Sequence, residues 1–199
     1  MIDEDDIVVD AGAWIGYYTC LAANRCTNGK VISIEPHPEN IARLKRHIVL
    51  NGFKNVILVE EALSDKESIT DLIVSDQSVM HRLDHNNNVI NNSIYNGNNI
   101  KVRVTTLDNI TNRYNIDHID ILIMDIEGYE YLAFLGANNL LNNNKTHKII
   151  IEVHIKYLKE MQLKLDDITE LLESYDYTIE IIEHINDSID RYHILAIRE

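Results

Sequence analysis

The chain is poor in the residues that mark several protein classes: two Cys, two Pro, seven Gly and one Trp in 199 residues. Cys20 and Cys26 stand six positions apart on one expected helix and so point to different faces. That spacing suits neither a disulfide nor a metal-binding pair, and both thiols are expected to be buried and reduced. No apolar run approaches the roughly 20 residues that span a bilayer. The acidic start, Met1 to Asp6, also lacks the basic region of a signal peptide. A soluble, cytoplasmic protein without a membrane partner is the expectation. Basic residues are scarce as well, with 18 Lys and Arg against 32 Asp and Glu and a net charge of -14. Nucleic-acid affinity depends on clustered Lys and Arg releasing counterions, so a nucleic-acid partner is not expected. The charge reads as a solvated acidic surface that tolerates a neutral or cationic ligand.

With 45% hydrophobic residues the chain can bury one substantial core, and we read residues 1–199 as a single domain. Short Val- and Ile-rich runs alternate with longer helical patterns, which is the signature of a parallel sheet wrapped by helices. Strands are expected at Ile7–Asp10, Val31–Glu35, Val56–Val59, Ile119–Asp125 and Lys148–His154. Helices are expected at about 17–26, 39–50, 129–141 and 155–174. Residues from about 64 to 106 break the rhythm. Runs at Leu72–Val74 and Lys101–Val104 there predict an antiparallel insertion with a loop. Asn86–Asn88, Asn91–Asn92 and Asn142–Asn144 read as low-complexity, solvated loop. Tyr177–Ile182 and His193–Ile197 flank a polar turn at Asn186–Ser188, a connection short enough only for a hairpin.

Four constellations fall at the carboxyl ends of expected strands, where open α/β sheets bind ligands. The first is Asp10-Ala11-Gly12-Ala13-Trp14-Ile15-Gly16. Its small residues let a ligand approach the backbone, while Trp14 and Tyr17 stand where a GxGxxG dinucleotide fingerprint needs glycine. Asp10 would repel a pyrophosphate but can accept hydrogen bonds from an ammonium. The second is Glu35-Pro36, whose carboxylate can take both hydroxyls of a ribose. The third and fourth are Asp125-Ile126-Glu127-Gly128 and Glu152-Val153-His154. Alternation puts Asp125 with Glu127, and Glu152 with His154, on shared faces if the chain stays extended.

Taken together, these residues resemble the FkbM methyltransferases over nearly the whole chain. The likeness rests on Val9–Ala13 with Ile15–Tyr18, Glu35-Pro36 with Pro38, Asn51, Glu61–Asp65, Thr106–Asp108, Asp125–Gly128 with Glu130, Leu135–Ala137 and Ile151–His154. The resemblance implies an α/β, Rossmann-like class I methyltransferase fold: a mostly parallel seven-stranded sheet, helices on both faces and a C-terminal antiparallel hairpin strand. It implies S-adenosylmethionine as cofactor, held by Asp10, Gly12, Ala13 and Gly16 at its methionine end, Glu35 and Pro36 at the ribose, and Glu61 with Ala62 at the adenine. Asp125 would sit near the transferred methyl. Two features depart from the family pattern: Trp14 replaces a usual Asn, and the chain starts only a few residues before the first strand.

The activity implied is O-methylation of a small molecule such as a sugar. His154 is the expected base, with Asp125 or Glu152 orienting it or taking its place. No resident metal is expected, and a divalent ion on Asp125, Glu127 and Glu152 is the rival device. A catalytically silent binding module and a nicotinamide-dependent oxidoreductase are the competing readings. A monomer or a homodimer is expected.

Overall fold

A computed structural model of the chain describes residues 2–75, 81–84, 95–143, 145–185 and 190–198. The elements are β1 (Ile7–Ala11), α1 (Tyr17–Arg25), β2 (Lys30–Ile34), α2 (Pro38–Asn51), β3 (Val56–Val59), β4 (Ala62–Leu63), β5 (Ser68–Ser75) and β6 (Arg82–Leu83). There follow β7 (Tyr95–Thr105), α3 (Leu107–Tyr114), β8 (Ile119–Met124), α4 (Glu130–Leu135), α5 (Asn138–Asn142), β9 (Thr146–His154), α6 (Ile155–Glu160), α7 (Leu165–Glu173), β10 (Thr178–Ile185) and β11 (Arg191–Ile197).

The main sheet has seven strands in the order β10-β11-β9-β8-β1-β2-β3. Its β3-β2-β1-β8-β9 portion is parallel, and β11 pairs antiparallel with both β9 and β10. Strand alternation sorts the side chains onto two layers. Val8, Val31 and Ile121 stand side by side and pack against Ala22, Ala23 and Cys26 at the end of α1. Their neighbours Val9, Ile32 and Leu122 face the opposite way, into a larger core with Phe134, Leu140, Leu158, Ile168 and Leu172. This is the expected Rossmann-like methyltransferase architecture, terminal hairpin included. Because β1 pairs with β2 on one side and β8 on the other, successive connections leave it in opposite directions, opening a crevice at its carboxyl end.

The expected insertion forms a second sheet, β4-β7-β5-β6, in which β5 and β7 pair antiparallel. Asn86–Asn88, Asn91–Asn92, Asn144 and the Asn186–Ser188 turn lie outside the described residues, whereas Asn142 closes α5 rather than lying in a loop.

Three helical expectations need correction. The helix expected over 129–141 is two, because α4 ends at Gly136, where a Cβ would stand 2.3 Å from the Ser64 carbonyl oxygen. The helix expected over 155–174 also breaks, at Gln162, whose φ of 62° no α-helix accommodates. Helix α3 was not anticipated. Its signal was present in Thr106, whose Oγ1 accepts the Asn109 N–H at 3.1 Å, and in the periodic Leu107 and Ile110. Cys26 is buried as expected, but Cys20 is only partly so; both are free.

Candidate functional site

The site begins where β1 must turn across its neighbours. Gly12 does this with a φ of +86°, and a Cβ there would lie 1.8 Å from the Asp125 carbonyl oxygen. Only glycine permits that approach. The Gly12 and Ala13 N–H groups both donate to the Ile34 carbonyl at 3.0 Å, and Asp125 N–H donates to Ala11 O at 3.0 Å. The ends of β1, β2 and β8 are thereby laced together.

Trp14 follows with a φ of 50°, a left-handed conformation uncommon for a bulky residue. Its N–H donates to Glu35 Oε2 at 2.9 Å. The other oxygen of Glu35 accepts from the His37 N–H at 2.8 Å and from Asn40 Nδ2 at 3.3 Å. Burial pushes the Glu35 carboxyl up to about 7 against these three donors.

These elements form one wall of a cleft lined by Gly12, Trp14, Ile34, Glu35, Pro36, Asn40, Glu61, Ala62, Leu63, Asp125, Ile126, Glu127 and Tyr129. Of the lining, Ala62, Leu63, Leu72, Arg82 and Leu83 come from the second sheet, and His81, just before β6, joins them. The structure thus brings together Gly12, Glu35, Pro36, Glu61, Ala62 and Asp125 of the residues expected from sequence. Asp10, Ala13 and Gly16 do not line the cleft. Asp10 is buried behind it, accepting from Thr19 Oγ1 at 2.5 Å, and Thr19 in turn contacts Ser33 Oγ at 2.7 Å. Burial raises the Asp10 carboxyl to about 6, with the Thr19 bonds opposing. Gly16 instead starts α1 with a φ of 95°. Glu61 is held by an ion pair with Arg113.

His81 and Arg82 escaped sequence reasoning, because a two-residue strand, Arg82–Leu83, and the single residue before it have no periodicity to read. The His81 ring stacks on His37 with centroids 4.0 Å apart, and burial followed by the neighbouring His37 drives its imidazolium down to about 4. Arg82 is buried against the Tyr157 ring at 4.7 Å and pairs with Glu160.

At the acceptor end stands an acid–histidine cluster. After β8 the chain leaves the extended form at Glu127 (φ 56°) and Gly128 (φ 99°), so Asp125 and Glu127 meet through a turn rather than along a strand. Fully buried Glu130 holds this turn, its Oε1 accepting the N–H of Ile126 at 3.2 Å and of Gly128 at 3.0 Å. His154, buried at the end of β9, has Nδ1 3.9 Å from Asp125 Oδ1 and Nε2 3.7 Å from Glu127 Oε2 and 3.3 Å from Glu152 Oε1. Glu152 is anchored from β11 by Arg191 at 3.0 Å and His193 at 2.9 Å. Neither His154 nor Glu152 lines the cleft.

Burial raises the carboxyls of Asp125 and Glu130, and takes Glu127 to about 7. Glu152 falls to about 2, first through its hydrogen bond with His154. Burial alone would depress His154, but Glu152 and the surrounding carboxylates outweigh it and lift the imidazolium to about 9.

The model of the FkbM methyltransferase domain matches residues 10–179. The chain belongs to the FkbM methyltransferase family. FkbM from Methylobacillus flagellatus KT superposes with a TM-score of 0.65 at 20% identity, covering 98% of this chain and 44% of that one. The chain therefore spans less than half the length of that FkbM protein. An rRNA methylase from Streptococcus thermophilus gives a TM-score of 0.57 at 12% identity, covering 99% and 89% of the two chains. Aeropyrum pernix fibrillarin, solved with natively bound S-adenosyl-L-methionine, gives 0.57 at 11%, covering 98% and 67%. At these identities the likenesses establish the fold alone. No curated protein matches the chain.

Proposed function

We propose that this FkbM-family chain is an S-adenosylmethionine-dependent O-methyltransferase whose acceptor is a hydroxyl on a small molecule such as a sugar. The observation that carries the reading is the convergence of Gly12, Glu35, Glu61, Ala62 and Asp125 on one cleft at the switch point of the sheet. The cofactor is S-adenosylmethionine, and the residues present suit it. Trp14 Nε1, Asn40 Oδ1 and Asp125 Oδ1 are buried polar atoms of cleft-lining residues with no hydrogen-bond partner among the described residues. Such atoms call for a polar ligand. Glu35, at the β2 end, has three of its four lone pairs taken by Trp14, His37 and Asn40, and the remaining one would accept a ribose hydroxyl.

When bound, the cofactor supplies a methyl on a positively charged sulfur, a good leaving group. The protein's work is then alignment and proton removal. Asp125 lines the cleft and its side chain is 42% exposed, whereas His154 is 3% exposed behind it. Asp125 is therefore the group that would take the proton of an acceptor hydroxyl held in the cleft. His154 holds Asp125 in place as a positioning residue. The acidic balance of the chain favours a neutral acceptor over a polyanion.

Calorimetric titration with S-adenosylmethionine and S-adenosylhomocysteine, repeated on Glu35→Ala, tests the cofactor site. Saturable binding that weakens at least tenfold in the variant is expected. A methyl-transfer screen of monosaccharides against short rRNA fragments then tests the acceptor class, with transfer to the sugars alone expected. An intact chain that binds neither cofactor form would overturn the methyltransferase reading and make the silent-module reading the leading one.

A further inference from the structure

We infer that Asp125, Glu127 and His154 form a binding site for one divalent first-row transition ion, of the Mn²⁺ or Zn²⁺ kind, at the acceptor end of the cleft. Each residue offers one donor atom, and the three atoms lie within 4.8 Å of one another. Ligands about 2.1 Å from a common ion stand roughly 3 to 4.2 Å apart, so small side-chain movements close the shell. The separation of 3.9 Å from His154 Nδ1, the ring nitrogen turned away from Glu152, to Asp125 Oδ1 already falls in that range.

A second observation points to a ligand independently of the carboxylates. Asp125 Oδ1, Glu127 Oε2 and His154 Nδ1 are all shut from solvent with no hydrogen-bond partner among the described residues, and His154 is 3% exposed. Three orphaned polar atoms in one cluster are costly unless something joins them. The other ring nitrogen of His154 faces Glu152 at 3.3 Å, and Glu152 is itself fixed by Arg191 and His193. An ion would displace the Nδ1 proton of the imidazolium, and the carboxylate behind the ring would hold the other proton on Nε2, the usual outer shell of a metal-bound imidazole. Glu130 supports the same loop through the N–H groups of Ile126 and Gly128.

An imidazole with two carboxylates favours a transition ion over Mg²⁺ or Ca²⁺, which take oxygen shells. Asp125 lines the cleft, which leaves the ion's remaining positions open to an acceptor hydroxyl. That last role rests on the methyl-transfer reading; the site itself does not.

The test is Mn²⁺ titration of the full chain, read by loss of the free-ion electron paramagnetic resonance signal and by the shift in Tm, with Zn²⁺ and Mg²⁺ in parallel. One saturable Mn²⁺ or Zn²⁺ per chain is expected, with Mg²⁺ at least tenfold weaker. Asp125→Asn and His154→Gln should each weaken uptake at least tenfold, and Glu152→Gln by about 10- to 100-fold through the outer shell. If one variant fails to unfold cooperatively, the others carry the comparison. No uptake by the parent at millimolar ion, or uptake undiminished in the folded variants, overturns the site. Titration with S-adenosylhomocysteine on the same preparations reads the function separately: binding without metal uptake removes the ion and leaves the methyltransferase.

Discussion

The backbone N–H of Trp14 donates to Glu35 Oε2 at 2.9 Å, tying the loop after β1 to the end of β2. The contact belongs to the backbone, so it survives side-chain replacement that respects a positive φ. Trp14→Asn should therefore keep the fold and S-adenosylhomocysteine binding, with stability changed by no more than about 1 kcal/mol, because Asn tolerates the left-handed region. Trp14→Pro removes the donor and forces φ negative, and should cost about 3 kcal/mol or more and abolish cofactor binding. Thermal unfolding and calorimetry on the two variants check this. Equal damage in both would assign the effect to the indole ring.

Asp10 gives a pH prediction. Its folded value, about 6, lies above the ordinary carboxyl value of 3.8, chiefly through burial. Its contribution is fully present below pH 3.8 and is lost as pH rises through 6, since the unfolded chain releases its proton first. The loss is on the order of 2–3 kcal/mol. Asp10→Asn, which can still accept from Thr19, should gain stability relative to the parent between pH 4 and 7 and plateau above. Urea unfolding at stepped pH measures the difference, and a constant offset would rule out Asp10 as its source.

Gly12→Ala places a methyl 1.8 Å from the Asp125 carbonyl and loads an unfavourable φ. A loss of about 3 kcal/mol or more is expected, together with loss of cofactor binding. By contrast, Gly52, also at positive φ, has no atom within 4 Å of a built Cβ. Gly52→Ala should cost only about 1–2 kcal/mol and leave binding intact, as unfolding and calorimetry would show.

Asp125→Asn should lower kcat by about 10²- to 10⁴-fold, as loss of a general base does. Homocysteine-product affinity should stay within a few-fold of the parent. His154→Ala lowering kcat, but by less than Asp125→Asn, would agree with a positioning histidine; full turnover in His154→Ala would remove that role, and a larger loss there than in Asp125→Asn would make His154 the base.

Much of this was legible in linear order. Strand β1 shows in Ile7–Asp10 because a strand buried on both faces must be apolar throughout, and Gly12 with Glu35 showed because backbone approach and ribose chemistry demand those residue types. The break at Gly136 answers to the close approach of the distant Ser64 carbonyl, and the one at Gln162 to a left-handed turn that a glutamine does not announce. Asp10 shows the limit for site residues. Its motif placed it at the right strand end, but only the sheet reveals that its carboxylate points to Thr19 and away from the cleft.

The sequence by itself determined the main-sheet strands in order, the parallel sheet with its closing hairpin and the FkbM motifs, because periodicity and residue chemistry act over a few neighbouring positions. Only the tertiary structure decided which side chains meet. His154, Asp125 and Glu127 converge because β8 and β9 lie side by side and the chain turns left-handed at Glu127, while Arg191 and His193 reach Glu152 from a strand 39 or more residues away. Contacts of that range depend on register and burial across the whole sheet, which no local pattern encodes.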